Sequence, residues 1–198
     1  MSKILIQIGA AEGNDHVTEI IKNETFTKVI LVEPNVKNFK LLQDNYKTYN
    51  NIIFENIAIS VENTNITLFA EDKNISYHGS VNYEHLLRHG HHPSNIKEFT
   101  IPALTFTSLL EKHNLLNYEI EFLFIDTEGH DCDIILSTNF NEINVKNICF
   151  ETVHSDGTNT SGEKLKKTIK YLNSCGYEVD QTKKVDWSLW MVKTNIKN

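Results

Sequence analysis

Residues 3–13 read KILIQIGAAEG. An apolar, largely β-branched run ends in a glycine, and a second glycine follows before a helical stretch from Asn14 to about Lys22. Apolar residues in near-continuous succession, rather than in alternation, mark a strand buried on both faces. The unit then recurs. KVILVEP (28–34) leads into NVKNFKLLQDNYKTY, where Val36, Phe39, Leu42 and Tyr46 fall on one helix face. NIIFENIAIS (51–60), NITLFAE (65–71) and FTIPALTF (99–106) are further strand runs, and SLLEKHNLL is a short helix. IEFLFID (120–126) precedes a helix near 131–137, and VKNICFE (145–151) precedes one near 161–174.

Strands alternating with helices predict a doubly wound α/β fold, a parallel sheet covered on both faces. The last two runs, GYEVDQ and WSLWMVK, are joined by a polar linker too short for a crossover helix, so they are expected to pair antiparallel. The expected architecture is a mostly parallel, seven-stranded Rossmann-like sheet with a C-terminal antiparallel hairpin, in a single domain over 1–198. Residues 72–98, DKNISYHGSVNYEHLLRHGHHPSNIKE, break the rhythm and read as a polar insertion or lid over the sheet edge.

The chain has 198 residues, with 40% hydrophobic and 23% charged side chains, the balance of a soluble globular protein. Its net charge of −7 and the lack of any Lys/Arg block argue against a nucleic-acid partner. In KLKKTIK the lysines alternate with Leu165 and Ile169 at helical spacing, as on a solvated helix face. No apolar stretch reaches the ~18 residues of a membrane span. The N-terminus enters a strand at once, without the pattern of a signal peptide. Cys132, Cys149 and Cys175 form no CxxC, which fits reduced thiols and a cytoplasmic location.

Ligands of open α/β sheets bind beyond the carboxyl ends of the strands. Those ends are Gln7 to Gly13, Glu33-Pro34, Glu55-Asn56, Asp126 to Asp131 and Glu151 to His154, and polar residues collect at each. Gly9 lets the backbone pass close to a ligand and Gly13 opens the helix. Glu33, about 20 residues on, is placed to accept both hydroxyls of an adenine nucleoside's ribose. The third glycine of a dinucleotide fingerprint is missing, which disfavours NAD(P) and favours a nucleoside without phosphates. S-adenosylmethionine (SAM) is the foremost such cofactor.

IQIGAAEG resembles the D-V-G-A-N-x-G motif of FkbM-type SAM-dependent methyltransferases. LVEPNVKNFKLLQDNY, FENIAIS and FIDTEGHDCDIILS are similar to three further segments of that family, in the same order, from residue 4 to about 154. The resemblance implies a class I methyltransferase fold, SAM as methyl donor, and a hydroxyl of a sugar or small metabolite as acceptor. It implies that Gly9, Ala10 and Gly13 line the methionine part of the cofactor, with Gln7 bonding its amino acid end. Glu33, followed by Pro34, would hold the ribose. Asn56, Ile57 and Ala58 would lie by the adenine, and Asp126 beside the reactive methyl. The sequence departs from the pattern at Gln7 (Asp in the family), Ala11 (Asn), Thr107 (Asp), Phe124 (Lys) and Asp131 (Glu). These departures motivate the alternative of a catalytically degenerate SAM-binding module with a partner or sensor role.

For an oxygen acceptor a general base is expected near the fourth or fifth strand, and Asp126 and His154 are the candidates. Glu128 divides between turn chemistry and catalysis, while Asp131 suits an N-cap for the helix from Cys132. Asp126, Glu128, Glu151 and His154 could instead hold a divalent metal, a use ranked below acid/base chemistry, so no metal ligand is assigned. In HLLRHGHH, His85 and His89 share a face if helical, with His91 and His92 following; they read as incidental to an exposed lid. By analogy with a small-residue segment of the family it resembles, Gly79-Ser80 is expected to touch cofactor or acceptor.

Overall fold

Strand β1 (Ile4–Ile8) sends Ile4, Ile6 and Ile8 to one side of a sheet and Leu5 to the other, and all four are buried. A computed structural model describes residues 3–71, 79–154, 162–183 and 187–194. Parallel to β1 run β2 (Lys28–Val32) and β3 (Ile52–Glu55) on one flank. A two-residue strand β4 (Ala58–Ile59), the hairpin strand β5 (Thr64–Glu71) and β6 (Ile96–Leu104) follow in sequence. The main sheet continues on the other flank of β1 with β7 (Ile120–Ile125) and β8 (Val145–Glu151), both parallel. It closes with β9 (Tyr177–Val179) and β10 (Ser188–Lys193), β10 lying antiparallel between β8 and β9. The order is β3-β2-β1-β7-β8-β10-β9, seven strands with the C-terminal antiparallel hairpin that the short linker requires.

Helices cover both faces. α1 (His16–Asn23) and α2 (Val36–Asn45) pack Val17, Ile21 and Leu42, with Tyr46 at the α2 cap, on the Leu5 side. α4 (Phe106–Lys112), α5 (Asp131–Ser137) and α6 (Glu163–Ser174) pack Leu109, Ile134, Leu165 and Leu172 on the Ile6 side. On α2 the expected face holds at Leu42 and Tyr46, which are buried, and at half-buried Phe39, but its first member Val36 is 51% exposed and Asn38 is buried instead. The run 51–60 is two strands rather than one. The Asn56 amide donates to the Glu33 and Pro34 carbonyls (2.8 and 3.1 Å), which turns the chain out of the main sheet after Glu55. β4 then joins β6 and β5 in a second sheet, ordered β4-β6-β5, whose β5–β6 hairpin keeps register from Thr64↔Ala103 to Glu71↔Ile96.

That hairpin frames the insertion. Within it, residues 72–78 lie outside the described residues. Ser80 bridges back to Phe69, and α3 (Tyr83–Arg88) follows, with a 3₁₀ turn at Pro93–Asn95. The segment is less solvated than its composition predicts, because His85 and Leu86 are fully buried. β6 also begins at Ile96, inside the stretch read as insertion, since Ile96 pairs with Glu71.

Candidate functional site

Register decides where the polar strand ends meet. Ile8 is level with Val32 on one side and Ile125 on the other, and Ile125 is level with Phe150. The next residue of each strand therefore falls in one row: Glu33, Gly9, Asp126, Glu151. A cleft opens above it, lined by residues from the ends of β1, β2, β4 and β7.

The floor depends on Gly9. It has φ +82°, and a Cβ there would sit 1.7 Å from the Asp126 carbonyl oxygen, so the glycine is demanded by neighbouring backbone. The Gly9 and Ala10 N–H groups both donate to the Val32 carbonyl (3.0 Å each), pulling the loop over β2. Ala11 is left-handed (φ 46°), and its N–H donates to Glu33 Oε2 at 2.9 Å. Glu33 Oε1 accepts from the Asn35 N–H at 2.7 Å. Burial outweighs these two bonds, and with Glu12 and Asp126 nearby it pushes the Glu33 carboxyl up to about 7.

Gly9, Ala10, Glu33, Pro34, Ile57, Ala58, Asp126 and Glu128 all line the cleft. Three other expected cofactor residues stand behind its wall. Gly13 packs where a Cβ would strike the Tyr46 ring at 2.4 Å, and Asn56 braces the Glu33-Pro34 backbone. Gln7 is buried, and its amide donates to Asp15 Oδ2 at 2.6 Å. Asp15, which sequence reasoning missed, lines the cleft and caps α1, its Oδ1 accepting from the Val17 and Thr18 N–H groups. The D-x-x-T capping box, Asp15 to Thr18, was the available signal.

At the end of β7, protein packed around Asp126 and the charges of Glu128 and Asp15 push its carboxyl up to about 7, while its outer face stays open to the cleft. Glu128 is left-handed (φ 54°), and the following Gly129 has φ 106°. The Glu128 carbonyl accepts from Ser80 Oγ (2.7 Å), and its Oε2 lies 2.8 Å from His85 Nε2. Burial, helped by Arg88 and His91, lowers His85 to about 4. Gly79 and Val81 reach the cleft wall from the same segment.

Asp131 corrects an expectation. It is the first residue of α5 rather than its cap; His130 takes the cap position and makes no side-chain capping bond. The Asp131 carboxylate points back into the fold. It accepts from the Thr127 N–H (2.8 Å), the Thr127 hydroxyl and the Glu151 N–H (3.2 Å), so it ties the β7 and β8 ends together. Burial first, then Asp126, push it up to about 7. Glu151 rises further, to about 9, through burial and the charges of Asp126, Glu128 and Asp131, and its Oε2 is enclosed without a hydrogen-bond partner among the described residues. His154 is not among the residues lining the cleft and packs instead against the rings of His85 and His89. Phe124, at the position of the family's lysine, is buried edge-on against Trp190 beneath the cleft.

The strand order, the cleft over β1 and β2, and the hairpin at the far edge define a class I methyltransferase-type fold. The Methyltransferase FkbM domain family matches residues 7–179, and the chain belongs to that family. No curated protein matches it by sequence. Among solved structures it resembles methyltransferase FkbM from Methylobacillus flagellatus KT (TM-score 0.58, 14% identity), over 96% of this chain and 43% of that one. The METTL16 MTase domain matches with TM-score 0.53 and 10% identity, over 97% of this chain and 59% of that one. The fibrillarin pre-rRNA processing protein of Methanococcus jannaschii gives 0.50 and 14%, over 97% and 66%. At these identities the likeness is one of fold, and the chain spans less than half the length of the FkbM structure. No helix among the described residues is long and apolar enough to cross a membrane.

Proposed function

We propose that the domain is a SAM-dependent methyltransferase acting on oxygen, with a hydroxyl of a sugar or other small metabolite as acceptor. The observation that carries this reading is the charge of the cleft. Glu12, Asp15, Glu33, Asp126 and Glu128 line it, and none of the described lining residues is lysine or arginine. A phosphate-bearing cofactor would meet repulsion there, whereas SAM brings a sulfonium and an ammonium. Family membership supports the same cofactor.

When bound, SAM supplies an electrophilic methyl group. The chain's own residues do the rest. Each Glu33 oxygen already takes one backbone N–H and keeps room to accept a ribose hydroxyl. Ile57, Ala58, Ile59 and Leu68 offer an apolar wall suited to a flat base. Asp15, steadied by Gln7, offers a carboxylate that would pair with a cofactor ammonium. The departure at position 7 thus moves the charge by one hydrogen bond, which argues against the degenerate alternative.

Asp126 would take the acceptor's proton, so that the acceptor oxygen could receive the methyl group that SAM would supply. Its carboxyl titrates near neutral pH, where a general base is most useful. Alignment contributes up to ~7–11 kcal/mol and the base another ~10²–10⁴-fold. Glu128 holds His85 and, through its carbonyl, Ser80, so it shapes the roof over the acceptor.

The test is calorimetric titration with SAM and S-adenosylhomocysteine, followed by product analysis with a panel of hydroxylated sugars and metabolites. Micromolar binding of both nucleosides and methyl transfer to at least one hydroxyl are expected. Failure of both nucleosides to bind would refute the cofactor assignment. Binding without transfer to any member of the panel would favour the binding-module alternative.

A further inference from the structure

We infer that His85, His89 and His154 form a binding site for one divalent transition-metal ion, with Glu128 orienting His85. The sequence grouped these atoms differently, placing His154 with carboxylates and the other two in an exposed lid. In the fold, one nitrogen from each of the three rings lies within 4.8 Å of the others. His85 is in α3 and His89 caps it one turn later, so both project from the same side. His154 arrives just beyond the end of β8. The ring centroids are 4.4 Å apart for His85–His89, 4.7 Å for His89–His154 and 5.2 Å for His85–His154.

Two features separate this group from a chance cluster. First, His85 is fully buried, and the Nδ1 atoms of His85 and His154 are enclosed with no hydrogen-bond partner among the described residues. Buried polar nitrogens are nearly always paired, so two unpaired ring nitrogens within a trio of histidines this close call for a ligand. Second, the far nitrogen of His85 lies 2.8 Å from a Glu128 oxygen. A ligating imidazole that donates its other N–H to a carboxylate has its tautomer and ring plane fixed for the metal. Glu128 is itself held, by its left-handed backbone and by the Ser80 hydroxyl on its carbonyl.

The donor set selects the ion. Imidazole nitrogens favour Zn²⁺, Co²⁺ or Ni²⁺ over Mg²⁺ and Ca²⁺, which take oxygen. Metal–nitrogen bonds of ~2.0–2.1 Å put ligand atoms roughly 3.3 Å apart, so side-chain shifts of about an ångström would close the site. Three protein ligands leave a position for water or a substrate oxygen. Because Glu128 also lines the cleft, the ion would stand next to the acceptor space. That last consequence rests on the methyltransferase reading; the ion site does not.

The experiment uses the full chain without a histidine tag, freed of metal and titrated with Zn²⁺ in competition with a chromogenic chelator, and separately loaded with Co²⁺. Wild type is expected to take up one ion, with the strong visible absorption of low-coordinate Co²⁺. His89→Ala and His154→Ala are expected to lose it, Glu128→Gln to bind ~10–100-fold more weakly, and the exposed His92→Ala to behave as wild type. Wild type that binds no Zn²⁺ at micromolar concentration, or that binds it as well after His89→Ala and His154→Ala together, would overturn the site. Should those variants not fold, X-ray absorption of the Zn²⁺-loaded wild type decides. Three imidazole nitrogens support the proposal, and any smaller number refutes it. All these readouts are independent of SAM, so they separate failure of the metal site from failure of the methyltransferase reading.

Discussion

Replacing Glu33 by glutamine tests the ribose assignment and the energetics of the cleft together. Glu33 is 5% exposed, and its carboxyl is raised from 4.5 to about 7 in the folded chain. A carboxyl that keeps its proton to higher pH when folded than when unfolded makes stability fall as pH rises between those two values. Below about 4.5 both states are protonated and no penalty exists; above about 7 it is complete. At ~1.4 kcal/mol per pH unit the penalty comes to about 3 kcal/mol. Glu33→Gln removes it but turns an NH₂ toward one of the two backbone N–H groups, which costs about 1–3 kcal/mol for the lost bond. Urea unfolding should therefore find the variant less stable than wild type at pH 5, with the gap closing or reversing by pH 8. S-adenosylhomocysteine affinity should fall by a factor of ~10 to 100, because a hydrogen bond to a charged group contributes about 1.5–3 kcal/mol. A wild-type-minus-variant stability difference that does not change between pH 5 and pH 8 would refute the buried-carboxyl argument. Unchanged affinity would refute the ribose contact.

Two further substitutions probe the walls. Gly9→Ala forces a Cβ into the Asp126 carbonyl at a positive φ, and should cost more than ~3 kcal/mol, seen as loss of the cooperative thermal transition or a large drop in Tm. Asp15→Ala removes the α1 capping box and the partner of Gln7, and should cost about 2 kcal/mol in urea unfolding while weakening SAM more than adenosine, which lacks the ammonium. Equal losses for the two ligands would show that Asp15 serves the helix alone.

The main sheet was legible because parallel strands buried on both faces are near-continuous apolar runs, and the residue after each run is where polarity resumes. That places Gly9, Glu33, Asp126 and Glu151 in a row with no knowledge of their contacts. Features set by distant pairing were not legible. The Asn56 amide that splits β3 from β4 bonds to the Glu33 and Pro34 carbonyls, and nothing local marks it. The second sheet likewise exists only because β6 accepts both β4 and β5. Asp131 looked like a cap because an acidic residue before an apolar helical run usually is one; Thr127 and the Glu151 backbone claim its carboxylate instead. His85 and His89 announced a shared face by their spacing, but the third ring comes from the end of β8, and chain distance hid it.

The carboxyl row also has a consequence for binding. Burial is the main cause of the raised carboxyls, and like charge adds to it: Asp126 feels Glu128 and Asp15, Asp131 feels Asp126, and Glu151 feels Asp126, Glu128 and Asp131. Together these causes favour the protonated forms: Glu33, Asp126 and Asp131 titrate at about 7 and Glu151 at about 9. A cation entering the cleft reverses the balance, because opposite charge nearby favours the ionised carboxylate. SAM binding at neutral pH should therefore expel protons, on the order of one per chain. S-adenosylhomocysteine, which has lost the sulfonium charge, should expel fewer. Calorimetry in buffers of different ionisation enthalpy measures the difference directly, since each released proton adds the buffer's own heat. Equal proton release for the two ligands would show that the acidic row does not sense the sulfonium, and the electrostatic case for Asp126 beside the methyl group would then fail.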